Sequence, residues 1–357
     1  MNTIFFPRND YPNNVEICSH RLGKKMTYTE QTDGLNFDVS YSQFMALAKA
    51  RNIKVGAFAS YYELNHANIG LAKDDERNSH LWIDEYSLCP SLYDKITEYQ
   101  SPTEEEFVAA YNAELLPAFE QTFERKPVAL SYAYGQQGFK NVVCPLYLGA
   151  RNSWYNGDTD YGINLGSPND FPYSFQRFSS KQGTTRWFDY AVTHDNDYSG
   201  SLELLSSKID ETMQNSGWLN NFTHWHNYWQ THNEQWAATY LDLLASKNEH
   251  NEIYFAGYGE ALAYLVYRQI ITKVVMYSPI QNSSSQLIIR LETDNVLNVD
   301  TDLLQIPISV KFSTVSTPLA GADLKSDHNL ISLGGSDYIV EIPYSGRFPY
   351  AIIEKES

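Results

Sequence analysis

The chain has 357 residues with a formal net charge of −17, 43% hydrophobic and 19% charged side chains. This composition excludes wholesale disorder, and the length predicts two domains or one large barrel with an appendage. The acidic excess argues against nucleic acid and against an anionic membrane surface, since both need clustered Lys and Arg.

Aromatic residues make up 14% of the chain, with 27 Tyr and 7 Trp. Their apolar faces and polar tips suit wet, amphipathic ligands such as sugars, and suit a Tyr-rich core and surface equally well. Cys18, Cys89 and Cys144 form no CxxC pair, so neither a zinc knuckle nor a disulfide framework is expected. The opening MNTIFFPRNDYPNN lacks a basic segment followed by a long apolar run and does not read as a signal peptide. No apolar stretch approaches the ~20 residues that span a bilayer, so a soluble chain without a transmembrane segment is expected.

Along the chain, Val15–His20 and Leu35–Asp38 read as short strands, the second ending in a carboxylate. Ser42–Arg51 reads as a helix with Phe44, Leu47 and Ala48 on its apolar side, and Ile53–Ser60 as a strand. Ser101–Phe123 opens with Ser, Pro, Thr and three Glu, a helix start; its Pro117 should kink or divide the helix. Pro127–Tyr134 reads as a strand closed by Gly135. Leu202–Asn215 reads as a helix stopped by Gly217, followed by a strand at Trp218–His224 and a helix at Trp236–Ser246. A short strand at Ile253–Ala256 and a helix at Gly259–Arg268 complete this part.

Alternating strands and helices predict parallel βα units, six or seven of them before residue 270, which favours a barrel. Beyond residue 270 the pattern is nearly all strand: Lys273–Tyr277, Gln286–Thr293, Ile306–Thr314 and Tyr338–Ile342. The expected architecture is therefore α/β, a (β/α) barrel over residues 1–270 followed by a small all-β sandwich over residues 271–357.

Four places could carry chemistry. Asp38 in LNFDVSY ends a strand, where a carboxylate would stand at the mouth of a barrel, or serves as a turn residue before the next helix. THWHNYWQTH supplies His224 and His226, two apart and so on one face of a strand, able to share a metal or simply to pack. Tyr132 and Tyr134 in SYAYG, with Arg151 in GARNS, could line a pocket. His194, Asp195 and Asp197 sit in an acidic, loop-like run without EF-hand spacing. GxGxxG, Walker, HExxH and GxSxG signatures are absent from the sequence.

The order of these pieces resembles the polysaccharide deacetylase (NodB-like) family, in particular members with a C-terminal β domain. LNFDVSYSQFMALAKARNIKVGAFAS resembles that family's first motif, and SPTEEEFVAAYNAELLPAFEQTFERKPVALSYAYG its helix and following tyrosine-bearing strand. GARNS resembles the arginine segment, NSGWLNNFTHWHN the strand that brings in the last histidine, and IYFAGYGEALAYLVYR the closing segment. The resemblance runs over about residues 30–270 and implies a distorted (β/α)7 barrel that removes acetyl groups from a polysaccharide.

The resemblance further implies a divalent metal, usually zinc, on one Asp and two His, with a second Asp as general base and the last-motif His as general acid. Carried over residue by residue, it assigns catalytic roles to Asp38, His224 and His226 and metal ligation to Asp38 and His226. It also assigns substrate contacts to Tyr132, Tyr134, Arg151 and Trp225. The sequence departs from the pattern where Val39 follows Asp38 in place of a second Asp, and where Leu81–Gln100 lacks a His-x3-His pair. Asp84, Glu85 or Asp94 could substitute, though no spacing requires it; otherwise the metal is lost. In an alternative alignment EICSH is the second motif and supplies His20.

Three readings follow. The first is a metal-dependent polysaccharide deacetylase, which family habit would place outside the cytoplasm. The second is a catalytically inactive, metal-free glycan-binding or structural protein on the same scaffold. The third is a glycoside hydrolase using Asp38 with Glu260 or Asp195, which needs two carboxyls ~5 to 9 Å apart.

Overall fold

The computed structural model of the chain describes residues 8–33, 39–64, 89–92, 102–131, 146–151, 163–164, 185–187, 198–223, 234–279, 286–293, 303–304 and 306–356. The fold class is mixed α/β. The chain divides into two compact units, one made of residues 1–24, 263–297 and 304–357 and the other of residues 25–262 and 298–303.

In chain order the elements begin with β1 (Arg8–Asp10), β2 (Val15–Ile17), β3 (Met26–Asp33), α1 (Val39–Lys49), β4 (Val55–Phe58) and α2 (Tyr61–Leu64). They continue with α3 (Glu104–Ala110), a π turn at Tyr111–Leu115, α4 (Leu116–Phe123), β5 (Ala129–Ser131), β6 (Gly149–Arg151), β7 (Ile163–Asn164) and β8 (Thr185–Trp187). Next come α5 (Tyr198–Gln214), β9 (Gly217–Thr223), α6 (Glu234–Lys247), β10 (Ile253–Ala256) and α7 (Tyr258–Ile270). Seven strands close the chain: β11 (Ile271–Pro279), β12 (Gln286–Thr293), β13 (Ile308–Ser313), β14 (Leu324–Ser326), β15 (Leu330–Gly334), β16 (Asp337–Ile342) and β17 (Tyr350–Lys355).

In the unit of residues 25–262, β3 is the central strand. It runs parallel to β9 along Thr27–Thr32, to β10 along Met26–Thr29 and to β4 along Glu30–Asp33. A strand has two edges, and β9 overlaps both of the other partners. So β10 and β4 share the opposite edge of β3, one behind the other. Parallel pairing joins β8 to β9 and β5 to β6, and β7 adds an antiparallel edge to β9. Among the described residues these strands do not close into a barrel.

One face of this sheet is covered by helices. Met26 and Tyr28 of β3, Val55 of β4, Leu219 of β9 and Phe255 of β10 form one buried cluster with residues of α1, α5 and α6. The helices contribute by their period: Phe44, Met45 and Ala48 of α1 are buried, as are Ala237, Tyr240, Leu241 and Leu244 of α6.

The helix expected over Ser101–Phe123 is divided as Pro117 requires. Its start is a capping box: the Thr103 hydroxyl accepts from the Glu106 amide and the Glu106 carboxylate accepts from the Thr103 amide. Pro117 cannot donate to the Ala113 carbonyl, and its ring crowds that oxygen. The backbone widens over Tyr111–Leu115 into a π turn just before Pro117, near the start of α4. Gly217, in contrast, does not stop α5. The helix ends at Gln214, Ser216 takes the left-handed turn position at φ 49°, and Gly217 already belongs to β9.

The other unit contains two antiparallel sheets. One has the order β1-β11-β12-β17-β14 and the other β15-β16-β13-β2. Strand β12 alternates half-buried and buried positions without a break, so Leu287, Ile289, Leu291 and Thr293 face inward. Residues 8–17, read from sequence as the head of the first domain, supply β1 to β11 and β2 to β13. Behind β2, Arg21 grips the buried Glu341 carboxylate at 2.7 and 3.4 Å, and the Tyr264 hydroxyl donates to the Cys18 carbonyl at 2.9 Å.

Candidate functional site

Register places the functional edge. In parallel sheets ligands gather beyond the carboxyl ends of the strands. Here Asp33 pairs with Phe58, Thr32 with Thr223, and Phe222 with Trp187. The carboxyl ends of β3, β4, β8 and β9 therefore line up at one edge. Among the described residues the strand that precedes α1 is Met26–Asp33; the expected strand Leu35–Asp38 lies outside them. The carboxylate that ends β3 is Asp33.

The two faces of this sheet differ. On the helix-covered face, Glu30 is wholly buried in the centre of β3. The Tyr240 hydroxyl of α6 donates to its Oε2 at 2.5 Å and the Tyr28 hydroxyl at 2.9 Å; the two hydroxyls are 3.1 Å apart. Burial first, and then the negative charge of Glu30, hold the Tyr240 phenol well above the usual tyrosine range. It therefore stays a donor at any working pH.

The opposite face has an aromatic floor. The Trp218 indole donates to the Thr29 hydroxyl at 3.0 Å. Tyr258 packs against both Trp218 and Phe58, with ring centroids 5.4 and 5.7 Å apart. All three rings are buried. Beside them Lys54 reaches the Glu260 carboxylate at 3.0 and 3.1 Å, and the Gly257 amide donates to the same carboxylate at 3.0 Å. Glu260, considered above as a glycosidase carboxylate, is thus engaged in pinning the start of α7 to β4.

Of the residues singled out from sequence, Asp38, His224, His226, Tyr132, Tyr134 and Trp225 lie outside the described residues, as do Asp84, Glu85, Asp94, His194, Asp195 and Asp197. The Arg151 backbone pairs with Ser131 at the end of the β5–β6 ladder. His20 is buried after β2, in the unit that holds the two antiparallel sheets. Among the described residues no group of three or more His, Cys, Asp or Glu is placed to hold a metal ion.

Sequence reading missed Glu30, Tyr28, Tyr240 and Asp33. The run MTYTEQTD, with Thr and Tyr alternating around polar residues, carried a strand signal that could have found three of them.

The chain has a partial likeness to solved structures. A Mycobacterium smegmatis protein described as a candidate polysaccharide deacetylase matches 73% of this chain and 96% of its own, at 12% identity and a TM-score of 0.46. A family 4 carbohydrate esterase from Streptomyces lividans, solved with acetate, matches 64% and 91%, at 7% identity and a TM-score of 0.40. The chain is similar to polysaccharide deacetylases. A third of them, from Bacillus cereus, matches 65% of this chain and 92% of its own, at 12% identity and a TM-score of 0.37. At these identities and TM-scores the likeness to polysaccharide deacetylases does not by itself assign an activity. No protein-family model and no curated protein matches the sequence.

Proposed function

We propose that the unit of residues 25–262 is a distorted (β/α)7 barrel acting as a metal-dependent polysaccharide deacetylase, with the other unit an appended β-sandwich. The observation that carries this reading is the register of β3 against β9. In the ladder Thr27 pairs with Trp218, Thr29 with Asn220 and Gln31 with Phe222. One strand period further along each segment come Asp33 and His224. In the proposed site the His224–His226 pair, which follows β9 in the sequence, joins a carboxylate beyond that sheet edge, where a site on parallel strands is expected. This adds Asp33 to the carboxylate of Asp38.

One carboxylate and two imidazoles suit zinc, whose catalytic sites keep three protein ligands. Asp33 or Asp38, with His224 and His226, would hold it, and the bound ion would polarise an acetyl carbonyl and acidify water. The remaining carboxylate would take the water's proton and deliver it to the leaving sugar hydroxyl or amine. The buried rings of Trp218, Phe58 and Tyr258 keep the floor dry and stiff beneath that chemistry. Tyr132, Tyr134, Arg151 and Trp225 would contact the glycan. The proposed setting is extracytoplasmic, since polysaccharide substrates lie there.

Elemental mass spectrometry of the purified protein tests this directly. Near-stoichiometric zinc, nickel or cobalt is expected, lost in His224→Ala plus His226→Ala and weakened in Asp33→Asn, together with acetate release from acetylated glycans. A protein that takes up no divalent ion and releases no acetate would sink the reading and leave the inactive glycan-binding scaffold in its place.

A further inference from the structure

The outward side of the five-stranded sheet carries two rings, Tyr350 at 50% and Phe348 at 48% exposure. Tyr350 opens β17 directly opposite Arg290 of β12, so the two side chains share one face. The Phe348 ring gathers two guanidinium groups: Arg290 lies 5.4 Å and Arg347 5.3 Å from its centroid. Arg290 is paired with Glu292 at 3.0 Å, and its Nε is a buried donor with no hydrogen-bond partner. Arg347 has no carboxylate partner among the described residues. His328 Nε2 lies 3.1 Å from the Tyr350 backbone carbonyl oxygen.

This is a local cationic and aromatic patch on a chain of net charge −17. We propose that it binds an acidic polysaccharide. The Tyr350 ring stacks on the C–H face of a pyranose, and the guanidinium groups held on Phe348 take the carboxylate of that sugar or its neighbour. That the anion is a polysaccharide rests on the reading proposed for the other unit. Along the same face the outward positions of β12 and β17 alternate the Ile288–Ile352 pair with Arg290, Glu292 and Glu354, so the apolar part is small. The negative net charge does not prevent binding. At physiological salt, charges beyond about 8 Å are screened, while contacts at the guanidinium groups are not.

Native affinity electrophoresis of the full chain tests the proposal, with polygalacturonate or neutral dextran cast in the gel. Retardation by polygalacturonate alone is expected. It should weaken about tenfold in Tyr350→Ala and in Arg347→Ala, the loss of one anchoring side chain. It should persist in Tyr350→Phe, which keeps the ring, and in Tyr62→Ala, an exposed tyrosine of the other unit. Absence of retardation, equal retardation by dextran, or retardation indifferent to Tyr350→Ala and Arg347→Ala would overturn it. Retardation is read without turnover, so it can hold where acetate release fails, and fail where acetate release holds.

Discussion

Removing the Tyr240 hydroxyl should be costly far beyond its size. In Tyr240→Phe the ring still fills its place in α6, so no cavity opens. What is lost is the 2.5 Å donation to Glu30 and the 3.1 Å contact with Tyr28. Glu30 is fully buried, so water does not replace the donor. Tyr28 remains, at 2.9 Å from the same oxygen. A hydrogen bond to a charged group contributes about 1.5–3 kcal/mol, and one between neutral groups about 0.5–1.5 kcal/mol. The expected loss is therefore about 2 kcal/mol. In a Glu30→Gln background the same substitution should cost only about 1 kcal/mol, because the acceptor is then neutral. Urea unfolding followed by tryptophan fluorescence reads both values as midpoint shifts at constant slope. The cycle then gives the coupling between the two side chains. A loss below about 0.5 kcal/mol, or equal losses in the two backgrounds, would refute the buried-carboxylate account.

Two further outcomes follow from burial. Burial, reinforced by Glu16, pushes the Cys18 thiol up from 9.0 to about 11, and burial with the hydrogen bond to Glu114 pushes Cys89 up to about 12. Tyr264 and Tyr267 are raised by burial as well. Each folded group keeps a proton that its unfolded counterpart releases, so the unfolded state binds fewer protons and stability falls as pH rises. The fall should begin near pH 9 and continue to about 11–12. Cys89→Ser should flatten it, and a urea midpoint that does not move over that range would contradict the account. Gly23→Ala tests local packing. Gly23 sits at φ +67°, and an added Cβ would stand 2.6 Å from Ile339 Cδ1. The expected loss is about 2 kcal/mol or more, visible as a lower melting temperature.

The parts of the fold that could be read from the sequence were those where a local signal and the tertiary environment agree. The helix over residues 104–123 shows both its capping box and its proline in the sequence, and the apolar run of β12 marks a strand with the observed bounds Gln286–Thr293. Strand β3 was hidden for the opposite reason. It is covered by helices on one face and by aromatic rings on the other, so its polar residues, Thr27, Thr29 and Glu30, are buried through hydrogen bonds and not exposed. A pattern search expects apolar residues in such a strand. The partners that make Glu30 tolerable come from 210 residues further along the chain and from its own neighbour Tyr28. The placement of β1 and β2 was equally invisible, since their partners β11 and β13 lie more than 250 residues away.

The same lesson applies to the candidate site. Placing a carboxylate at the end of a parallel strand was sound reasoning, but its numerical answer depends on where the strand ends. Read from LNFD, the answer is Asp38; read from the ladder against β4 and β9, it is Asp33. Asp33 closes the ladder, and Asp38 follows it in the sequence after four residues, outside the described residues. Sequence alone cannot weigh the two, because either run is short and either ends in Asp. The ladder counts residues across three strands at once, and a slip of one residue would turn Glu30 out of its pair of tyrosine hydroxyls. The buried network on one face therefore fixes the register of β3 against both its neighbours. Loosening Glu30 should accordingly disturb the site edge as well as the core.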